Sequence, residues 1–475
     1  MIKSCYLVLL LFLVPLFSFS QKYSAKEIRE DVAYLKRKLE KVHPNAYRYT
    51  EKTTFEAIFE EKTKNLPDSL TVSEAYQLMA ELMHYVHDAH TAFYMGKAHK
   101  KRNKKEFPFR FFPDGEKIKL RYNLSKDSTL KEGMEVVEMN GKSIEEYIQR
   151  FEKQTITDYG LYGRRSATLN FWIYYTRNFG TDSSFSLTLR SDDGETLIKK
   201  TFDCVPSKEM AKIFKKRYPY KSPKNLNIKW IDSLQTAVLT INSFRYGKAW
   251  DIPQWGFNRQ IHKVFDSLQQ KKVNNLIIDV RGNRGGFVSN PPRVIRRLYD
   301  KPFTLTDTVE FKKTNYVRNM LAFMPFALPL GWLYFKPNRG EYFTHSNESN
   351  TKQKPIQQQL FKGNLFFLMD SESYSATSQL LSKSHNLGIG TYIGEPCGGA
   401  YWGCYALQKV GFKLPNTRFE MLIPTCKSSH KIDFSKANGK TLQPDYYVVR
   451  QGEHWWNGKN DKVLEKALDL VKKKS

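Results

Sequence analysis

The chain has 475 residues, 40% of them hydrophobic and 26% charged, with a formal net charge of +28. That balance belongs to a soluble globular protein long enough for two or three domains with real cores, and no internal repeat or low-complexity tract is apparent along the chain. The positive excess invites a nucleic-acid reading. Outside KAHKKRNKK (97–105) and KKRYPYKSPK (215–224), however, the lysines are dispersed, and no zinc-finger, helix-turn-helix or paired aromatic strand signature accompanies them. No nucleic-acid partner is expected. In an exported chain this charge meets anionic lipid or envelope polymer first.

Export is what the first twenty residues indicate. MIKSCYLVLLLFLVPLFSFS has one early lysine, an apolar run from Tyr6 to Phe17 and small residues ahead of Gln21. It reads as a secretory signal peptide over 1–20, the run being short for a membrane span, with an uncleaved anchor lengthened by Phe19 as the lesser alternative. Residues 21–100 follow a helical pattern: Ile28, Val32, Leu35 and Leu39 form one stripe ended by Pro44, and Val72, Ala75, Leu78, Met79, Leu82 and Val86 form another. His90 then falls at or just beyond a helix end. The period changes to that of strands in FPFRFF, KIKLRYNL and MEVVEMNG, and SFSLTLRSDDGETLIKKTFDCV reads as a hairpin about Asp193-Gly194. A small mixed domain over 107–205 is expected.

After a basic linker, 225–475 alternates strand and helix: TAVLTINSF, GFNRQIHKVFDSLQQK, VNNLIIDV, NLFFLMD, SATSQLLSKS and GIGTYIG. This implies a mostly parallel layered sheet, with functional groups at the carboxyl ends of its strands. An insertion over 308–350 contains the uncharged stretch 320–335, read as a buried irregular segment, a lid or a membrane-contacting loop. Four cysteines remain after the leader: Cys204, Cys397, Cys404 and Cys426. In an oxidising compartment a pair among them is reasonable, Cys397 and Cys404 being nearest in sequence.

Two strand ends carry candidate chemistry. VNNLIIDV opens into RGNRGGFV, where Gly282, Gly285 and Gly286 let successive amides point at one spot, as an oxyanion requires. NLFFLMD opens into SESYSATSQ, where Ser375 begins a helix with its hydroxyl exposed and the Ala376 amide free. A helix cap is the commoner reason for one such hydroxyl, but two neighbouring strands ending this way favour a site. A serine nucleophile needs a base. Of His84, His87 and His90, spaced so as to fan around a helix rather than converge on a metal, His90 is best placed to face another domain.

DAHT (88–91), DVRGNRGG (279–286), YSATSQ (374–379), GEPCGG (394–399) and PDYYV (444–448), in that order, resemble the S41 peptidases, the tail-specific or C-terminal processing proteases and their tricorn-like and interphotoreceptor-retinoid-binding-like relatives. The resemblance implies an α/β fold with a crotonase/Clp-protease-like spiral core, an N-terminal helical region and an inserted PDZ-like peptide-binding domain at 107–205. It also implies an exported serine endopeptidase acting near substrate C-termini, with a peptide or protein substrate, no cofactor and no metal; it leaves the oligomeric state open. Matched residue by residue, Ser375 takes the nucleophile's place and His90 the base's, with Gly285, Gly286 and Ala376 as the oxyanion hole. The lysine base of the processing-protease branch would fall at Ala400, so the tricorn-like branch is the better match. The glutamate that orients the base would fall at Asn438. Two functions therefore stay open, a Ser-His endopeptidase and a weak or inactive peptide- or ligand-binding relative, with a zinc hydrolase on the three histidines far behind.

Overall fold

The computed structural model describes residues 21–474 except 100–104, 182–183, 192–193, 220–224, 246–252, 316, 319–335, 338–341, 347–351 and 456. The expected signal peptide and the 320–335 stretch thus lie outside the described residues. The fold is a mixed α/β one that begins with a helical region. Helix Ala25–Val42 starts on a capping box in which Ser24 and Glu27 satisfy each other's free groups, and helix Val72–His84 starts on the same device from Thr71 and Glu74. Their expected stripes are buried, with Val72 and Leu78 half-buried at the margin.

Five antiparallel strands follow, in the order Leu197–Phe202, Phe185–Arg190, Glu135–Met139, Lys117–Asn123, Phe109–Asp114. The hairpin expected about Gly194 pairs Leu197 with Arg190. Phe107, Phe109, Phe111, Phe171 and Phe185 fill the core under this sheet.

The third layer is the sheet Leu226–Ile231, Thr236–Ile241, Asn275–Asp279, Asn364–Met369, Thr391–Gly394, Tyr446–Tyr447. Only its first pair is antiparallel. Leu276, Ile278, Phe367 and Met369 face helices Pro253–Gln270 and Ala376–Asn386, while Ile277, Phe366 and Leu368 face helix Lys462–Lys474. Burial on both faces is why these strands read as continuous apolar runs.

A further sheet, absent from the sequence reading, is built on the long hairpin Gly403–Lys413 and Glu420–His430. The start of its second strand, Glu420 to Leu422, pairs with Ala92–Tyr94, two residues past His90. The hairpin's turn packs into the N-terminal helices, where buried Asp31 accepts from the amides of Asn416 and Thr417 at 2.9 and 2.8 Å. This strand pairing fixes the histidine loop against the core.

All four cysteines are free thiols, which corrects the expected pairing. Cys397 directs its sulfur to the Ser373 carbonyl at 2.9 Å rather than toward Cys404, and burial pushes its thiol up to about 12.

Candidate active site

Strands Asn275–Asp279 and Asn364–Met369 are parallel neighbours, Asp279 opposite Leu368, so their exit loops lie side by side. Buried polar groups stitch the loops together. Asp370 accepts from the amides of Gly282 (2.9 Å) and Glu372 (3.0 Å), and the Tyr374 amide donates to the Asn283 carbonyl at 3.1 Å. The Ser373 hydroxyl, fully buried, accepts from the Asp370 amide and donates to the Val280 carbonyl at 3.0 Å. Ser378 donates back to the Ser375 carbonyl at 2.7 Å, as a first-turn hydroxyl does. The crowd of hydroxyls is therefore mostly internal fastening. Ser375 differs: it is half-buried at the head of helix Ala376–Asn386, with φ 59° and ψ −121°. A non-glycine residue there stores strain of about 1–3 kcal/mol, held only where surroundings over-determine it.

Gly285 supplies that constraint. A Cβ on it would sit 2.7 Å from the Ser375 Cβ and from the Tyr374 carbonyl oxygen, so the glycine backbone lies directly against the serine. The Gly285 amide is already engaged, donating to Asn283 Oδ1 at 2.9 Å. Phe244 pairs with this loop, taking the Phe287 amide and giving its own amide to the Gly285 carbonyl. The intervening Gly286 amide points away from Phe244, and Gly286 lines the cleft beside Ser375. Among the described residues the Gly286 and Ala376 amides have no hydrogen-bond partner, the second because first-turn amides have none within a helix.

His90 lines the same cleft, a cavity of about 760 Å³. Its Nδ1 lies 3.8 Å from Asp88 Oδ1, and that oxygen also accepts the His90 amide at 3.1 Å. The other Asp88 oxygen takes Thr91 Oγ1 at 2.7 Å and His43 Nε2 at 3.1 Å. His43 stands before Pro44, which forces it extended, and its Nδ1 accepts the Asn45 amide at 3.2 Å. Nδ1 is thus the acceptor nitrogen and Nε2 carries the hydrogen given to Asp88. Burial alone would raise the Asp88 pKa, but the His43 hydrogen bond and the nearby His90 ring outweigh it and hold the carboxyl well below the usual range.

A second buried acid, Asp158, joins two of the motifs. It accepts the Ala89 amide at 2.8 Å and the Ala400 amide at 3.2 Å, and burial followed by the Asp88 charge pushes its pKa up to about 6. The place that holds a lysine in the processing-protease branch is here a backbone amide tied to Asp158. Asn438 is not among the residues lining the cleft; it clips an exposed turn, exchanging hydrogen bonds with the Gln443 backbone at 3.0 Å. His84 binds the Thr155 carbonyl and His87 packs edge-on against it at 4.9 Å, so the three histidines diverge. No cluster of three or more His, Cys, Asp or Glu side chains fit to hold a metal occurs among the described residues. Asp279 pairs with Arg281 and Asp445 accepts the Tyr392 amide, so both anchor loops. Sequence reading missed His43 and Asp158; the only local signal for the first was its place before a proline.

A serine strained at a helix head, free amides beside it and a histidine across one cleft, all at the carboxyl edge of an α/β sheet, make the arrangement of a serine-type hydrolase. Residues 235–419 match the model of peptidase family S41, and on that match the chain is classified as a serine-type peptidase, with which a peptide or protein substrate is consistent. No curated protein matches it in sequence. Solved structures share the fold: mature CPAF (12% identity, TM-score 0.63) and a serine-to-alanine mutant of CPAF (11%, 0.66), each match covering 94% of this chain and 97% of the other. Mature CPAF complexed with lactacystin is similar at 12% identity and TM-score 0.62, with 94% and 98% covered.

Proposed function

We propose that the protein is an exported endopeptidase of the tricorn-like branch working by a Ser-His mechanism. The observation that carries this is the strained Ser375, pressed against Gly285 and sharing one cleft with His90. His90 takes the Ser375 proton as the hydroxyl oxygen attacks the scissile carbonyl. The amides of Gly286 and Ala376 take the developing oxyanion, each such donor being worth about 3 kcal/mol; Gly285 serves as the close-packed support of the loop. His90 then returns the proton to the leaving amine, and water releases the acyl group by the reverse sequence. Asp88 stands in for the glutamate missing at Asn438, with His43 fixing its carboxylate.

The same reading makes 225–475 a spiral core of the crotonase and Clp-protease kind and 107–205 a PDZ-like module that offers a sheet edge to an extended substrate end. Export rests on the leader; N-terminal sequencing of the protein from its native envelope should begin near Gln21, and a chain retaining Met1 in the cytoplasm would end that part of the proposal. One observation favours the second reading, a slow or noncatalytic binder: the 3.8 Å between His90 and Asp88 exceeds hydrogen-bond reach. Capture by a fluorophosphonate followed by peptide mapping separates the two. Modification at Ser375, lost in His90→Ala, is expected. Retained peptide binding with no modification anywhere would establish the binder.

A further inference from the structure

The charges around the cleft are one-sided. His90, Arg165, Arg245, Arg284 and Lys409 line it against a single carboxylate, Glu372, which is already paired with Arg284. Arg165 gives Nη1 to Glu395, while its Nε and Nη2 are buried without a partner. Those two nitrogens form the side edge of the guanidinium, whose parallel N–H groups match the two oxygens of a carboxylate. Arg245 and Lys409 have no carboxylate partner among the described residues. Arg245 follows Phe244, and its backbone lies so close to Gly286 that a Cβ there would meet the Arg245 nitrogen at 2.4 Å. Its side chain therefore starts beside the amide assigned to the oxyanion. Lys409 closes a register shift between Ala406 and Lys409, where Leu407 adopts φ 67°, and such an irregularity re-aims side chains off a strand.

We infer that the cleft selects substrates with an aspartate or glutamate side chain beside the scissile bond, the carboxylate seating between the free edge of Arg165 and the Arg245–Lys409 pair. The inference rests on the peptidase reading of this cleft. Bringing cations together in a partly buried site is unfavourable until an anion arrives: burial opposes the Lys409 ammonium more than the Asp88 charge favours it, and the neighbouring Arg245 charge adds a smaller opposition. A neutral or basic side chain would leave them uncompensated.

The test uses the full chain and matched fluorogenic peptides with Asp, Asn or Lys flanking the cleaved bond, each with a free or an amidated C-terminus. The Asp peptide should exceed its Asn twin in kcat/KM by about tenfold or more, the scale of a charge-assisted contact, with Lys lowest. Lys409→Gln should shrink the ratio through KM; it is preferred to Arg165→Gln, which strands the buried Glu395. Binding of the same peptides to Ser375→Ala by fluorescence anisotropy reads selectivity without turnover. An Asp preference in binding with no hydrolysis by the parent would uphold the inference and overturn the peptidase mechanism. Equal handling of Asp and Asn in both assays overturns the inference, as does dependence on the free C-terminus alone, which would assign these cations to the chain end.

Discussion

Replacing Gly285 with alanine should disable the proposed nucleophile, Ser375, without touching it. The added Cβ would sit 2.7 Å from the Ser375 Cβ and the Tyr374 carbonyl oxygen and 3.0 Å from the Ala376 nitrogen. Ordinary carbon–carbon contact begins near roughly 3.5 Å, so the two loops must part by about 1 Å. They are sewn together by Asp370, Ser373 and the Tyr374 amide, so the easiest thing to move is the strained serine. Gly285 also has φ +91°, which adds about 1–3 kcal/mol for a residue with a side chain. A misplacement of 1 Å in a positioned catalytic group costs on the order of 10²-fold in rate. Gly285→Ala should therefore lose about a hundredfold in kcat and in fluorophosphonate labelling rate, with stability lower by a few kcal/mol at most. The assay is labelling rate alongside denaturant unfolding, so a misfolded variant is recognised. Labelling at the parental rate by a variant as stable as the parent would refute the idea that this contact sets the geometry of Ser375.

Ser373→Ala should act through stability instead: it leaves the buried Asp370 amide without its partner, costing about 1–3 kcal/mol, while the folded fraction still labels at Ser375. Urea unfolding with labelling measures both, and lost labelling at unchanged stability would move the nucleophile to 373. Asp158→Asn isolates a pH effect. With the Asp158 pKa raised from 3.8 to about 6, the folded state keeps this proton where the unfolded chain has lost it, so the parent loses stability as pH rises through that window. His87 and His430, both lowered to about 4 by burial, act oppositely in parent and variant alike and cancel in the comparison. The variant should gain on the parent by up to about 3 kcal/mol between pH 4 and 6 and by nothing further above. A difference that is flat across the window in thermal melts would contradict the placement of Asp158.

Much of this was legible because it was periodic. The helical stripes through Leu35 and Met79 and the apolar runs through Ile278 and Phe367 lie where 3.6-residue and two-faced burial put them. The two strand-end loops were legible for a different reason: backbone demands at Gly285 and Gly286 leave few residue choices, so the need is visible in composition. What stayed hidden depends on long-range pairing. The sheet built on Glu420–His430 draws Ala92–Tyr94 from more than three hundred residues away, and nothing in either segment announces the other.

The hidden half of the site follows from that pairing. Once Ala92–Tyr94 is fixed on the hairpin, the loop before it must be buried, and Asp88 with it. A buried carboxylate needs donors, and helix Ala25–Val42 delivers one because Pro44 ends it with His43 extended and facing inward. The Ala89 amide likewise needs an acceptor, and Asp158 meets that need while also taking the Ala400 amide. On the proposed mechanism, then, the absence of a lysine at 400 and of a glutamate at 438 leaves no hole in the site. The position at 400 gives its amide to Asp158, and the carboxylate near His90 is Asp88, on the histidine's own loop, instead of one on the loop that carries Asn438. A single acid swapped for another in place would have been readable from sequence. Relocating the acid to a different element and holding it with a histidine from a third is not, because it is satisfied only in the folded chain.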